Sequence, residues 1–351
     1  MNYLLVSIII NNYNYGQFLR DAITSALNQT YLHTEILVVD DGSTDNSQEI
    51  IASYGNQIVA VLKENGGQAS AFNAGFAVSR GEIVIFLDAD DYLFRHAVEQ
   101  IVAVWKPGIS KVHYWLKVVD TLGKPLGFSY PQGEAPLTSG EVWRDLLKGG
   151  GYTTTPTSGN ALSRVALAQV IPMPEAEFRI SADGYLATLI PFYGQVVSIE
   201  EALGAYRIHG SNQWALATVS SDRFHRFVRH DIQRHELLAH KARELGYEFP
   251  QDLNLRDIGH LWSRIASLRW EPQKHPIPSD RPLNLIYWGF CSLWQHSGFN
   301  WKKRFIYSVW FVWVGLLPLP LAKPAITWLY APHFRPKAID WTLNKIRLLV
   351  G

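Results

Sequence analysis

Short apolar runs and helical stretches alternate through the first quarter of the chain, and no other feature narrows the fold as much. Leu4 to Ile10 (LLVSIII) is a β-branched run, ended by the turn formers Asn11 to Gly16. Phe18, Leu19, Ala22, Ile23, Ala26 and Leu27 then recur at helical spacing. Glu35 to Val39 predicts a second strand that stops at Asp40-Asp41-Gly42, with Ser43 or Thr44 capping the next helix. Ile58 to Leu62 predicts a third strand, Ala69 to Val78 a helix, and Glu82 to Leu87 a fourth strand. The order β-α-β-α-β-α-β predicts an α/β fold with a doubly wound, mostly parallel sheet.

Ligands of such sheets bind beyond the carboxyl ends of the strands. Three polar clusters fall there: Asn11 to Asn14, Asp40-Asp41, and Asp88 to Asp91. Asp88 and Asp90 are two apart and can converge on one hard cation, Mg²⁺ or Mn²⁺, that also holds a diphosphate. The plainer alternative is an acidic strand-to-helix turn in which Asp91 starts the next helix. There is no Walker A string and no GxGxxG, so other phosphate-cradling loops are not offered.

The formal charge of +1 on 351 residues argues against a nucleic-acid partner. One cysteine, Cys291, excludes an intrachain disulfide framework and fits a reducing, cytoplasmic compartment. The N-terminus shows neither a basic start nor a small-residue cleavage site, so no secretion signal is expected.

The segments SIIINNYNYGQFLRDAITSALNQTY, EILVVDDGSTDNS, ENGGQASAFNAG and GEIVIFLDADD resemble the successive motifs of family 2 glycosyltransferases with the GT-A fold. The resemblance is nearly continuous from Val6 to Asp91 and weaker out to about Asn212. It implies a nucleotide-sugar donor, with uridine the expected base. Asn11 and Tyr13 would line that base, Tyr13 by stacking, and Asp41 would accept from its imide with Asp40 in support. Gln68 and Asn73 would reach ribose or diphosphate. Asp90 would hold the metal, and Asp88 would share it or turn to the donor. Asn11 departs from the family's usual Pro or Thr.

Further along, Lys111 to Val119 predicts a strand, and Thr138 to Glu141 has capping-box spacing ahead of a short helix. Thr153 to Asn160 resembles the family's acceptor loop. Ser181 is placed to cap a helix with Asp183 in its first turn. The resemblance makes Asp183 the general base of an inverting displacement, and Ala182 removes the usual neighbouring acid. In YRIHGSN, His209 would join the metal shell and Arg207 would meet the diphosphate. A catalytically inactive sugar-nucleotide-binding module is the alternative. A metal-dependent phosphohydrolase is a third reading, disfavoured because its acids would follow the first strand.

The expected domains are a GT-A domain over 1–215, with a nucleotide half to about 110 and an acceptor half over 111–215, and a helical region over 216–351. Asp222 to Leu245 predicts a solvated helix, since its histidines at intervals of five cannot share a face. Asn254 to Trp270 predicts a second helix. Phe305 to Leu317 is apolar, rich in tryptophan and preceded by Lys302-Lys303-Arg304, but it is shorter than the ~20 residues of a span. Docking on a membrane surface, packing on the catalytic domain, and a span all stay open. Docking would suit a peripheral enzyme at the cytoplasmic face with a glycan, lipid-linked or envelope acceptor.

Overall fold

The computed structural model describes residues 3–131, 136–210, 212 and 220–330. Ser211 of the YRIHGSN motif and residues 331–351 of the helical region lie outside them. The chain divides into two compact units, Met1–Arg144 with Tyr152–Asn212, and Asp145–Gly151 with Gln213–Gly351.

The first unit begins β1 (Val6–Asn12), α1 (Gly16–Leu27), β2 (Thr34–Asp41), α2 (Ser47–Ala52), β3 (Val59–Lys63), α3 (Gln68–Val78) and β4 (Ile83–Asp88). It continues β5 (Tyr92–Leu93), α4 (Ala97–Val104), β6 (Ile109–Val119), β7 (Pro125–Tyr130) and, at the boundary with the second unit, α5 (Trp143–Gly149). After that come β8 (Asn160–Ser163), α6 (Arg164–Leu167), α7 (Ala182–Leu189) and β9 (Gln195–Arg207). Among the described residues one sheet holds every strand, in the order β3-β2-β1-β4-β8-β6-β9-β5, with β7 on β6. Strands β3, β2, β1 and β4 pair in parallel. Beyond β4 the sheet is mixed, because β8 runs antiparallel to both β4 and β6 while β6 and β9 are parallel.

The apolar runs of β1, β2 and β4 are buried along nearly their whole length, as a sheet covered on both faces requires. One face carries Val6, Ile8 and Ile10 of β1 against Leu19, Ala22, Ile23 and Ala26 of α1. The opposite face receives α3 at Gly75, where a Cβ would lie 3.0 Å from Val39 Cγ2 on β2. Side chains alternate along a strand, so neighbours in sequence leave the rim on opposite faces.

Four local expectations are corrected. Helix α2 starts after Asn46 with no side-chain cap; Ser43 Oγ instead accepts the Asn14 N–H, and Asp45 accepts the N–H groups of Gly16 and Ser47. Asp91 does not start a helix, since α4 begins only at Ala97. The capping-box spacing serves no helix start: Thr138 Oγ1 accepts the Thr153 N–H, and Glu141 pairs with Arg144. Ser181 does precede α7, but in the left-handed region (φ 77°) and without a capping bond.

The second unit contains α8 (Ser221–Glu244), α9 (Leu253–Arg256), α10 (Ile258–Trp270), α11 (Pro282–Cys291), α12 (Trp301–Leu316) and α13 (Leu319–Tyr330). Its core joins Phe224, Leu261, Ile265, Leu285, Leu293, Phe311, Val314 and Ile326. Two expectations change here. The helix expected over 254–270 is broken at Asp257, whose carboxylate caps α10 by accepting the His260 N–H. Helix α8 is not simply solvated: His225 and His235 are buried, and Asp257 Oδ2 takes His235 Nε2 at 3.0 Å and Arg234 Nη2 at 2.5 Å. No helix among the described residues is long and apolar enough to cross a membrane.

Candidate active site

Strand register assembles the rim. Asn11 of β1 lies opposite Asp88 of β4, and Asn12 opposite Asp40 of β2. The side chains follow the backbone. Asn11 Nδ2 donates to Asp88 Oδ1 at 2.7 Å, and Asn12 Nδ2 to Asp40 Oδ1 at 2.8 Å. Asn11 Oδ1 is buried with no hydrogen-bond partner among the described residues. A buried amide oxygen without a donor is rare, and it marks a place where a ligand, ion or water fits.

The same alternation separates the two acids of β2. Asp40 turns to the α2 side and accepts from Asn12, the Ser43 N–H and Gln48. Asp41 turns to the α3 side and accepts from Lys63 Nζ at 2.7 Å and from the N–H groups of Gly66 at 2.9 Å and Gly67 at 2.7 Å. Asp40 therefore braces a turn, and Asp41 holds down the Gly-Gly loop that opens α3. Tyr13 stands beyond the end of β1, about half exposed.

The acids after β4 converge. Ligand oxygens of Asp88, Asp90 and Asp91 all lie within 4.8 Å of one another. Burial, and then the charge of Asp90, push the Asp88 carboxyl up to about 7. Burial also holds Asp91 well above the usual carboxylate range. Asp91 is engaged by protein at both oxygens, taking Ser158 Oγ at 2.6 Å and the Arg207 N–H at 2.9 Å. Ser158 Oγ also accepts the Asp88 N–H. The Thr153–Asn160 segment thus braces the acidic turn, and Asn160 holds the segment by donating to the carbonyls of Thr155, Pro156 and Thr157.

Asp90 Oδ2 receives His209 Nε2 at 2.9 Å and Asn212 Nδ2 at 3.2 Å. The His209 ring packs edge-on to Tyr15 and beside Phe18. Crowded carboxylates repel one another, and a hard divalent cation with oxygen ligands relieves that repulsion. Oxygen donors beside one imidazole suit Mg²⁺ or Mn²⁺, so the residues present fit such an ion.

Arg207 and Asn73 have other partners than those expected. The Arg207 guanidinium is buried, donates to Asp90 O, Thr121 O and Asp21, and stacks on Phe18. Asn73 is tied to the Met173 main chain in both directions and to Glu175. Neither amide nor guanidinium is aimed at a diphosphate by these contacts.

Gln68 joins the rim to the helix of Asp183. Its Nε2 reaches Asp88 Oδ1 at 3.4 Å, and its Oε1 accepts the Ala182 N–H at 3.0 Å. Asp183, in the first turn of α7, accepts the Gly184 N–H, and its charge is felt at Asp88. Ser181 and Asn14 are the two non-glycine residues with positive φ among the described residues, and both border this rim. Strain of this kind gathers at functional sites.

Sequence reasoning passed over a buried group under α7. Lys111 is 1% exposed, and its Nζ donates to Tyr152 Oη at 2.9 Å and Thr154 Oγ1 at 2.7 Å. Tyr152 Oη donates on to the carbonyl of Ala187 in α7. Burial pushes the Lys111 ammonium down to about 7, and the Asp183 carboxylate acts to hold the proton. Burial, and then Lys111, push the neighbouring His113 down to about 3. A lysine beside the apolar Val112, Tyr114, Leu116 and Val118 of β6 was the available signal.

Residues 7–113 match the model of the family described as glycosyl transferase family 2. An uncharacterized glycosyltransferase of Nostoc sp. is 40% identical over 213 residues, which are 59% of this chain and 66% of that protein. The chain thus spans less than two thirds of that relative, and the match to a Rickettsia typhi glycosyltransferase covers 41% of its length. Among solved structures, residues 1–349 of Staphylococcus aureus TarS, in complex with UDP-GlcNAc, align with TM-score 0.51 at 16% identity, over 93% of this chain and 91% of that one. The mannosyltransferase PcManGT of Pyrobaculum calidifontis, in complex with GDP-Man and Mn²⁺, aligns with TM-score 0.50 at 15% identity, over 93% and 88%. At those identities the likeness is one of fold. Residues 7–113 are thus a glycosyl transferase family 2 segment, and the chain that carries it has the GT-A fold.

Proposed function

We propose that the protein is a metal-dependent, inverting glycosyltransferase. It moves a sugar from a nucleotide-diphosphate donor, a UDP-sugar in the first instance, to a hydroxyl of a glycan or lipid-linked saccharide. One observation carries this reading: Gln68 bridges Asp88 of the acidic rim and the N–H of Ala182, next to Asp183. Two carboxylates with different tasks are thereby held on one edge of the sheet.

Asp88 and Asp90 would hold Mg²⁺ or Mn²⁺, with His209 beside them. When bound, the ion supplies positive charge at the departing diphosphate. The chain's own residues do the rest. Tyr13 stacks on the base, and Asn11 orients Asp88 while its unpartnered oxygen faces the donor. Asp41 keeps the Gly66-Gly67 loop in place against the donor. Asp183 takes the proton of the acceptor hydroxyl as that oxygen bonds to the anomeric carbon. The bond from that carbon to the diphosphate oxygen breaks on the opposite face, and the nucleoside diphosphate leaves with the bonding pair. Arg207, His209 and Asn212 position Asp90. Cys291 as the one cysteine suits a cytoplasmic enzyme.

Calorimetry with UDP and Mn²⁺, paired with turnover of a nucleotide-sugar panel, tests the proposal on wild type and Asp183→Asn. Both forms are expected to bind, and the variant to lose turnover by ~10²–10⁴-fold. Binding in both with no turnover in the wild type would mean an inactive binding module. Equal turnover in both would remove Asp183 from the reaction.

A further inference from the structure

Helices α11 and α12 each carry two apolar stripes, and only one of them builds the core. Leu285 and Gly289 of α11 and Phe311 and Val314 of α12 point inward. On the outer side, Leu283, Tyr287, Phe290 and Trp294 follow one another at helical spacing and are all exposed. Phe305, Val309, Val312, Trp313 and Leu316 make a second exposed stripe along α12. Trp301 at its start is 65% exposed, and Leu321 of α13 is 55% exposed. A surface helix is expected to be polar on that side. Isolated exposed apolar residues are ordinary, but contiguous stripes are not.

The charge pattern says what meets this face. From Arg281 to Tyr330 there is no aspartate or glutamate, while Arg281, Lys302, Lys303, Arg304 and Lys323 are all cationic. Three of those cations stand in the first turn of α12, which has no acid. Positive charge at a helix N-terminus opposes the helix dipole, so local helix stability does not account for it. Arg304 is turned onto the carbonyls of Trp294, Ser297 and Phe299, whereas Lys303 and Lys323 are exposed. Tryptophans and lysines beside an apolar stripe match the boundary between acyl chains and anionic headgroups.

We propose that the outer face of α11 and α12 docks on an anionic lipid surface. Trp301, Phe305 and Trp313 enter the acyl boundary, and Lys302, Lys303 and Lys323 meet phosphate headgroups. The inference is independent of the transferase reading and survives if that reading fails.

Co-sedimentation of the full chain with phosphatidylcholine vesicles, with and without phosphatidylglycerol, is the test. Wild type is expected to bind the anionic vesicles at least ~10-fold more tightly and to lose that preference at high salt. Lys302→Glu with Lys303→Glu should weaken anionic binding ~10-fold or more, and Trp301→Ser with Phe305→Ser should weaken binding to both vesicle types. Trp301, Lys303 and Phe305 are exposed and Lys302 is half-buried over the Trp301 ring, and an unchanged thermal melt checks that each variant folds. Failure of folded wild type to bind anionic vesicles overturns the proposal. So does charge-independent binding. A lipid-free dimer that Phe305→Ser dissociates would instead make the face an interface between two copies of the chain.

Discussion

Replacing Lys111 with methionine should stabilise the protein near neutral pH. The ammonium titrates near 10.5 in the unfolded chain and near 7 in its buried place. At about 1.4 kcal/mol per pH unit, holding that charge inside costs the folded state about 5 kcal/mol. Methionine fills a similar volume without charge. Tyr152 keeps its bond to the Ala187 carbonyl and Thr154 its contact with His113, so neither hydroxyl is stranded. Two lost hydrogen bonds subtract about 1 kcal/mol each. The expected net gain at pH 6 is therefore about 3 kcal/mol. The sign with pH follows from the depressed value. Between 7 and 10.5 the unfolded chain holds the proton that the folded chain has released, so wild-type stability rises with pH there. The gap between the two proteins should close by about 1.4 kcal/mol per unit above pH 7 and vanish near pH 9. Urea unfolding of both proteins at pH 6, 7, 8 and 9 measures it. A methionine variant less stable at pH 6, or a gap that ignores pH, would refute the reasoning. The charge has a use if Asp183 is the base. In that case Lys111→Met should cost turnover while it gains stability, which kcat/KM of both proteins checks.

Asp90→Ala should abolish the Mn²⁺ dependence of UDP binding and lower sugar transfer by ~10²–10³-fold, the loss typical of removing charge stabilisation at a departing group. Undiminished transfer would show that the rim acids do not serve the diphosphate. Gly67→Ala places a Cβ 2.6 Å from the Arg179 carbonyl oxygen at φ +90°, so it should destabilise the protein by ~1–3 kcal/mol. It should also loosen donor binding, because Gly67 is one of the N–H groups that Asp41 holds. A melting temperature and a UDP affinity unchanged from wild type would show that this loop has room to shift.

Much of this site could be read before any coordinates. The strands, their polar ends and the first-turn place of Asp183 follow from residues a few positions apart, where periodicity and turn chemistry act. The opposite facing of Asp40 and Asp41 was implicit in strand alternation, though both were expected to serve the base. What local pattern could not supply was the partner across the fold. Arg207 and Asn73 were assigned to the donor, and each turned out to have protein contacts, Arg207 with Asp90 at a separation of 117 residues and Asn73 with Met173 at 100. Ser158, read as part of an acceptor loop, braces Asp91 and Asp88 because β8 inserts beside β4.

The sequence by itself determined the alternating strands and helices of the first quarter, which acids stand at strand ends, and that α12 is apolar beside a basic turn. Tertiary structure alone decided which of those acids converge, which are tied up by protein donors, and that α11 and α12 keep a second apolar stripe outside the core. The reason is physical. Secondary structure answers to neighbours within a turn or two, whereas the charge state and exposure of a side chain answer to whatever distant element is packed against it.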